Sequence, residues 1–209
     1  KVRRVTTGER VIHWATAIAF VALAVSGLVI LFGKNVLLPL IGYTLFSWLA
    51  TLAKNLHNFV GPIFSVALLV FIVLFVKDNI PKGYDGQWLA KFGGMLDRSG
   101  KSHVPSGKFN AGEKVLFWLL VCVLGVLLVL SGYVLLFPNF DQTRSTMQIA
   151  NIVHIGAALL AIAMACFHIY LGTVGMRGAF DAMRYGYVDE AWAKEHHEYW
   201  YNDVVAGKL

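Results

Sequence analysis

The sequence predicts an all-α integral membrane protein: a four-transmembrane-helix bundle with a C-terminal interfacial helix and both termini in the cytoplasm. Three observations carry this. Of 209 residues, 57% are hydrophobic and 14% charged, and the mean hydropathy of +0.63 is too high for a soluble domain. Four apolar stretches, 11–32, 52–76, 115–137 and 149–174, each reach the roughly 20 residues that a helix needs to cross a bilayer core. Fifteen of the 18 Lys and Arg residues fall in the N-terminal segment, the 77–114 loop and the tail after Val174. Alternating spans put these on one side, and the positive-inside rule makes that side cytoplasmic. The net charge of +6 is thereby explained without a nucleic-acid partner. The whole of 1–209 reads as a single membrane-embedded domain.

Each element has a local reason. Thr6-Thr-Gly-Glu9 has the spacing of a capping box, with Arg10 and His13 just inside the helix it opens. The first stretch has basic residues before it, but no short apolar core followed by a small-residue cleavage site, so it is read as a retained helix. Residues 34–51, flanked or interrupted by Gly33, Pro39 and Gly42, read as an outer connection with a short interfacial helix around 45–49. The second helix begins near Lys54 and carries His57. Its Gly61-Pro62 pair is expected to free the Asn58 carbonyl and kink the helix. Residues 77–107, with Pro81, Pro105 and several glycines including Gly100, read as a cytoplasmic loop. Asn110-Ala-Gly-Glu113 resembles a second capping box ahead of the third helix, which holds no histidine. The tail 189–201 alternates aromatics with charge, as a helix at the membrane surface does. No internal repeat is apparent. Cys122 and Cys166 both fall inside spans and read as packed small hydrophobes. Two cysteines supply neither the four of an iron–sulfur cluster nor a Cys-x-x-Cys-His haem attachment.

The fourth stretch holds His154 and His168. Fourteen helical residues return a side chain to within roughly 40° of its starting direction and about 21 Å along the axis. The two imidazoles therefore share a face at different depths, and an ionisable ring in hydrocarbon is a functional candidate by default. With the alternating topology, His13 matches His168 in depth on the cytoplasmic side, and His57 matches His154 on the outer side. Two pairs at two levels are what two b-type haems with two axial histidines each require. Four residues beyond the histidines stand Ala17, Gly61, Ala158 and Gly172, small enough to leave room for a flat macrocycle. One turn before His13 and His57 stand Arg10 and Lys54, cations suited to haem propionates. Membrane helices are rich in Gly and Ala in any case, and basic residues also anchor helices at interfaces. Taken singly, each histidine also reads as an interhelical hydrogen-bonding group. Zinc is the weaker alternative because the four stretches contain no carboxylate. His103, His196 and His197 lie outside the spans and read as exposed or interfacial.

Glu9-Arg-Val-Ile-His13-Trp14, Leu56-His57, the 107–114 run GKFNAGEK, Val153-His154, Phe167-His168-Ile-Tyr170 and the 192–201 run WAKEHHEYWY resemble the cytochrome b (gamma) subunits of membrane-bound formate dehydrogenases. These belong to a broader group of di-haem four-helix cytochromes b. The chain departs from them at Asn58 and Glu198, where such subunits often carry proline. The resemblance implies an iron–sulfur (beta) subunit and a molybdenum or tungsten catalytic (alpha) subunit as partners. It also implies a prokaryotic inner-membrane location and a quinone site for menaquinone or ubiquinone near His168 and Asn110. Asn110 serves equally as a helix N-cap, and Glu113 and Lys114 are weaker candidates for delivering protons to the quinone.

The expected function is thus a membrane anchor that passes electrons from the outer histidine pair to the inner one and on to quinone. It is not the site of formate oxidation, although it completes a formate:quinone oxidoreductase. With formate oxidised outside, each electron crossing against 100 mV stores about 2.3 kcal/mol. The alternatives are the cytochrome subunit of a nickel–iron hydrogenase or a sulfur-compound reductase, a histidine-based metal or proton transporter, and a purely structural anchor.

Overall fold

The computed structural model describes residues 1–94 and 104–208; His103 and Gly100 lie outside them. Four helices are long and apolar enough to cross a membrane: Thr7–Val36, Leu38–Phe75, Ala111–Leu136 and Arg144–Gly175. Only 11% of the most apolar window of the first is buried. Its exposed residues Ile18, Val21, Val25 and Phe32 recur every three to seven positions as a stripe. An apolar stripe of this length is a surface for lipid.

Helix α1 (Thr7–Val36) opens on the expected capping box: the Thr6 N–H donates to Glu9 Oε2 at 2.6 Å, and the Glu9 N–H donates to Thr6 Oγ1 at 3.2 Å. Helix α2 (Leu38–Phe75) begins at once, so the outer connection expected over 34–51 is mostly helix. Pro39 sits in the first turn, where a missing N–H costs nothing. Gly42 absorbs the break with φ 77°, ψ 167°, a conformation side chains disfavour. Non-helical dihedrals occur there and not at Pro62, which is carried inside the helix.

The 77–107 segment has more order than a plain loop, with single helical turns at Lys77–Asn79 and Phe92–Gly94 around α3 (Asp85–Ala90). The third span consists of α4 (Ala111–Leu116), a π-helical segment Phe117–Leu124 and α5 (Gly125–Leu136). The fourth is α6 (Arg144–Tyr170), closed by a π-helical turn Leu171–Gly175. Such wide turns are rare and favour functional sites.

The tail also differs from expectation. A single interfacial helix is replaced by α7 (Ala179–Tyr185), α8 (Glu190–His196) and α9 (Glu198–Val205). Strand β1 (Val2–Arg3) pairs antiparallel with β2 (Tyr187–Val188), Val2 opposite Val188. These elements enclose a small core of Val5, Ala182, Val188, Ala193 and Trp200.

Two compact units result. The first comprises Lys1–Val11, Ile72–Val123 and Ala163–Leu209; the second comprises Ile12–Phe71 and Leu124–Ile162.

Candidate functional site

The second unit contains a histidine pair. His57 of α2 and His154 of α6 face each other with ring centroids 6.1 Å apart and planes at 73°. An imidazole nitrogen binds a first-row metal at about 2 Å, and the ring centre lies roughly 1 Å behind it, so two axial imidazoles on one iron have centroids about 6 Å apart. The observed pair fits that requirement.

Each ring is held by a neighbouring helix in the same way. His57 Nδ1 lies 2.9 Å from Ser26 Oγ on α1, and His154 Nδ1 lies 3.0 Å from Ser131 Oγ on α5. The serines in turn donate to carbonyls one turn back, Ser26 to Ala22 at 2.8 Å and Ser131 to Leu127 at 2.5 Å. With the hydroxyl proton so committed, the serine oxygen accepts, and Nδ1 must be the protonated nitrogen. The Leu23 and Leu128 carbonyls, three residues before the serines, share in accepting the same hydroxyl protons, at 3.2 Å and 3.4 Å. Both rings are therefore the tautomer whose Nε2 carries the lone pair that a metal needs.

Glycine follows each serine. A Cβ at Gly27 would stand 3.3 Å from His57 Cε1, and one at Gly132 would stand 3.2 Å from His154 Cε1. A side chain at either position would push the ring back by a few tenths of an ångström. At Gly61, one turn beyond His57, an added Cβ would meet nothing within 4 Å, so the space expected beside a flat group is open. Ala158 is half-buried and Lys54 exposed on the same unit. Ser65 Oγ and Tyr133 Oη, 2.8 Å apart, tie α2 to α5.

His13 lies in the second unit against Trp14, at 5.3 Å, and Phe71, at 6.2 Å, with Ala17 half-buried. His168 belongs to the first unit, within electrostatic reach of Glu113. Gly172 lies in the π-helical turn, where the four-residue spacing no longer returns to the same face, and an added Cβ there would meet nothing within 4 Å. Arg10 is engaged within the first unit: Nε donates to the Met183 carbonyl at 3.3 Å and Nη2 donates to the Arg184 carbonyl. The guanidinium so satisfies the end of α7.

The rest of the first unit is a polar cluster. Asn110 caps α4: its side chain accepts from the Glu113 N–H at 2.9 Å, and its own N–H donates to Glu113 Oε2 at 2.8 Å. Glu113 also receives Arg4 Nη2 at 3.0 Å. Lys108 Nζ bridges Glu9 at 2.9 Å and Asp78 at 2.6 Å, and Lys114 Nζ meets Asp85 at 2.7 Å with both side chains at least nine-tenths buried. An apolar groove of about 320 Å³, lined by Leu89, Val115, Trp118 and Leu119 among others, opens beside this last pair.

His197 is a correction. Expected at the surface, it is 1% exposed, with Nδ1 2.7 Å from the Gly107 carbonyl and 3.2 Å from Ser106 Oγ. Burial, reinforced by the nearby Arg4 cation, holds its pKa down at about 4. His196 is half-buried. The sequence reading also missed Ser26, Gly27, Ser131 and Gly132. Their signal was present as a repeat: Leu23–Phe32 (LAVSGLVILF) and Leu128–Phe137 (LVLSGYVLLF) share six of ten residues.

Comparison with known proteins gives a consistent result. The sequence model of the prokaryotic cytochrome b561 family matches residues 4–186. The cytochrome b556(fdo) subunit of formate dehydrogenase from Escherichia coli K12 is 32% identical over 204 residues, covering 96% of this chain and 92% of that protein. The nitrate-inducible cytochrome b556(Fdn) subunit from the same organism is 29% identical, covering 94% and 88%. The cytochrome b556 subunit of formate dehydrogenase from Haemophilus influenzae is 27% identical, covering 100% and 86%.

Proposed function

Because the chain belongs to the prokaryotic cytochrome b561 family, as a multi-pass membrane cytochrome b with an electron-transfer role, we propose that it anchors a formate dehydrogenase complex and delivers its electrons to quinone. Its companions are an iron–sulfur subunit and a molybdenum- or tungsten-containing catalytic subunit. Its acceptor is menaquinone or ubiquinone in a prokaryotic inner membrane, with both termini of this chain on the cytoplasmic side.

The observation that carries the reading is the His57–His154 pair, whose rings have the separation of axial ligands and whose Nδ1 atoms are both occupied. We assign these two histidines to one haem b. From the fourteen-residue spacing and the matched depths in the sequence, we assign His13 and His168 to a second. Haem b held by two histidines would supply one-electron transfer.

The chain's own residues do the rest. His57 and His154 present Nε2 to the iron and are held from behind at Nδ1. Gly61 and Ala158, with Ala17 at the second site, would leave space for the macrocycle, whereas Gly172 follows His168 through the wide turn and lies off its face. Lys54 would meet propionates, and Arg10 would do so with the guanidinium N–H groups that its bonds to the Met183 and Arg184 carbonyls leave over. At the quinone site Asn110 would offer its amide N–H to a quinone carbonyl beside His168, and Glu113, which caps the same helix turn, would be a candidate for delivering protons.

The test is haem counting by pyridine haemochrome on the purified chain. Two haems b are expected per wild-type chain, one after His154→Ala or His13→Ala, and none after the His154→Ala/His168→Ala double substitution. A colourless protein would overturn the assignment.

A further inference from the structure

The repeat shows what it is for once the hydrogen bonds are placed on it. Ser26 and Ser131 occupy the fourth position of the two matching decapeptides, Gly27 and Gly132 the fifth, and Leu23 and Leu128 the first. In each copy the serine oxygen meets Nδ1 of a histidine on the next long helix, and a Cβ added at the glycine would crowd its Cε1. In each copy the serine proton goes back to the carbonyl four residues earlier. Two helix pairs, α1 with α2 and α5 with α6, thus present one imidazole each by the same device.

We propose that Ser26-Gly27 and Ser131-Gly132 are duplicated positioning elements that set the electronic character of the His57 and His154 imidazoles. This rests on the assignment of these histidines to one haem. The chain of bonds runs from Nδ1–H to serine oxygen, and from serine proton to backbone carbonyl. A ring that donates at Nδ1 gains negative character at Nε2 and becomes a stronger donor to a metal. A stronger axial donor favours ferric over ferrous iron and lowers the midpoint potential. The glycines set a second quantity, the angle of the ring about its metal bond, because a Cβ added at either would crowd Cε1 at 3.2–3.3 Å and turn the ring. The two ring planes stand at 73°, and near-perpendicular axial imidazoles give a strongly anisotropic low-spin ferric EPR signal.

Since one serine serves each of the two ligands of a single iron, Ser26→Ala and Ser131→Ala must act on the same haem and in the same direction. The experiment is a redox titration with low-temperature EPR on the purified, haem-loaded chain. Each substitution is expected to raise the potential of the same one of the two haem components by up to about tenfold in ferric-to-ferrous preference, equivalent to about 59 mV for one electron. The double substitution sums the two, and Ser→Thr, which keeps the hydroxyl, restores most of the shift. Gly27→Ala and Gly132→Ala are expected to change the EPR anisotropy of that component.

Full haem content with unchanged potential and EPR in both Ser→Ala variants overturns the inference while leaving the haem assignment standing. Shifts in different components, or of opposite sign, also overturn it. If Ser131→Ala loses haem and Ser131→Thr regains it, the positioning role holds; if both lose it, the serine is packing alone and the inference fails. Absence of haem from the wild-type chain, or retention of both haems in His154→Ala, defeats the underlying assignment.

Discussion

The two units place polar groups in apolar surroundings by opposite means. In the second, neutral groups do the work: two imidazoles and two hydroxyls, each hydroxyl proton shared between two backbone carbonyls. In the first, charge is balanced by charge, through Arg4–Glu113, Lys108 with Glu9 and Asp78, and Lys114–Asp85. A neutral network costs little to bury when every group is bonded, whereas an ion pair must recover a large desolvation cost. The first arrangement therefore holds structure, and the second leaves two ring nitrogens for chemistry. Substitutions in the first unit should move stability and leave the haem proposed at His57 and His154 unchanged; substitutions at the serines should do the reverse.

The largest stability effect is expected at Lys114. Its side chain is 5% exposed and that of its partner Asp85 10%, so Lys114→Met leaves a buried carboxylate uncompensated. A loss of about 3–5 kcal/mol follows, measured by thermal unfolding in detergent at neutral pH. Lys114→Met with Asp85→Asn removes both charges and should recover most of the loss. If the single substitution instead altered the spectrum of the haem proposed at His57 and His154, the division between the units would fail.

His197 gives the next effect, and its sign follows from burial. The folded protein holds it neutral down to about pH 4, while the unfolded chain takes up a proton near pH 6.5. The stability contributed by this depressed pKa is complete above about 6.5 and is lost as pH falls from there to about 4. A difference of roughly 2.5 units amounts to about 3 kcal/mol. Unfolding followed between pH 7 and pH 4.5 should show this decline. In His197→Asn, whose amide keeps a donor for the Gly107 carbonyl, the decline should flatten.

How much could be read in advance follows the same division. The intramembrane histidines stood out because an imidazole in hydrocarbon needs a reason, and the four spans because of their length. Ser26 and Ser131 did not, since a serine inside a membrane helix satisfies its own hydroxyl against the preceding turn by default. Its second bond comes from residues 31 and 23 positions away. His197 was misplaced because its neighbours in sequence are charged and aromatic, while what buries it, Ser106 and Gly107, lies about 90 residues earlier. The long second helix was cut short because Pro39 and Gly42 read as a loop, although proline is tolerated in a first turn. Capping boxes at Thr6 and Asn110 were legible because their geometry lies within four residues.

The smallest expected effect separates two roles carried by one side chain. Asn110 uses its carbonyl oxygen to cap α4, and the proposed quinone contact would use its amide N–H. Asn110→Ala removes both and should cost about 1 kcal/mol of stability. Asn110→Ser keeps an oxygen of comparable capping strength and removes the amide. In a complex containing this chain, unfolding of the Ser variant should match wild type to within a few tenths of a kcal/mol while its quinone reduction falls. Quinone reduction at the wild-type rate in Asn110→Ser would leave Asn110 as a cap alone, and the polar cluster of the first unit would then hold structure without touching substrate.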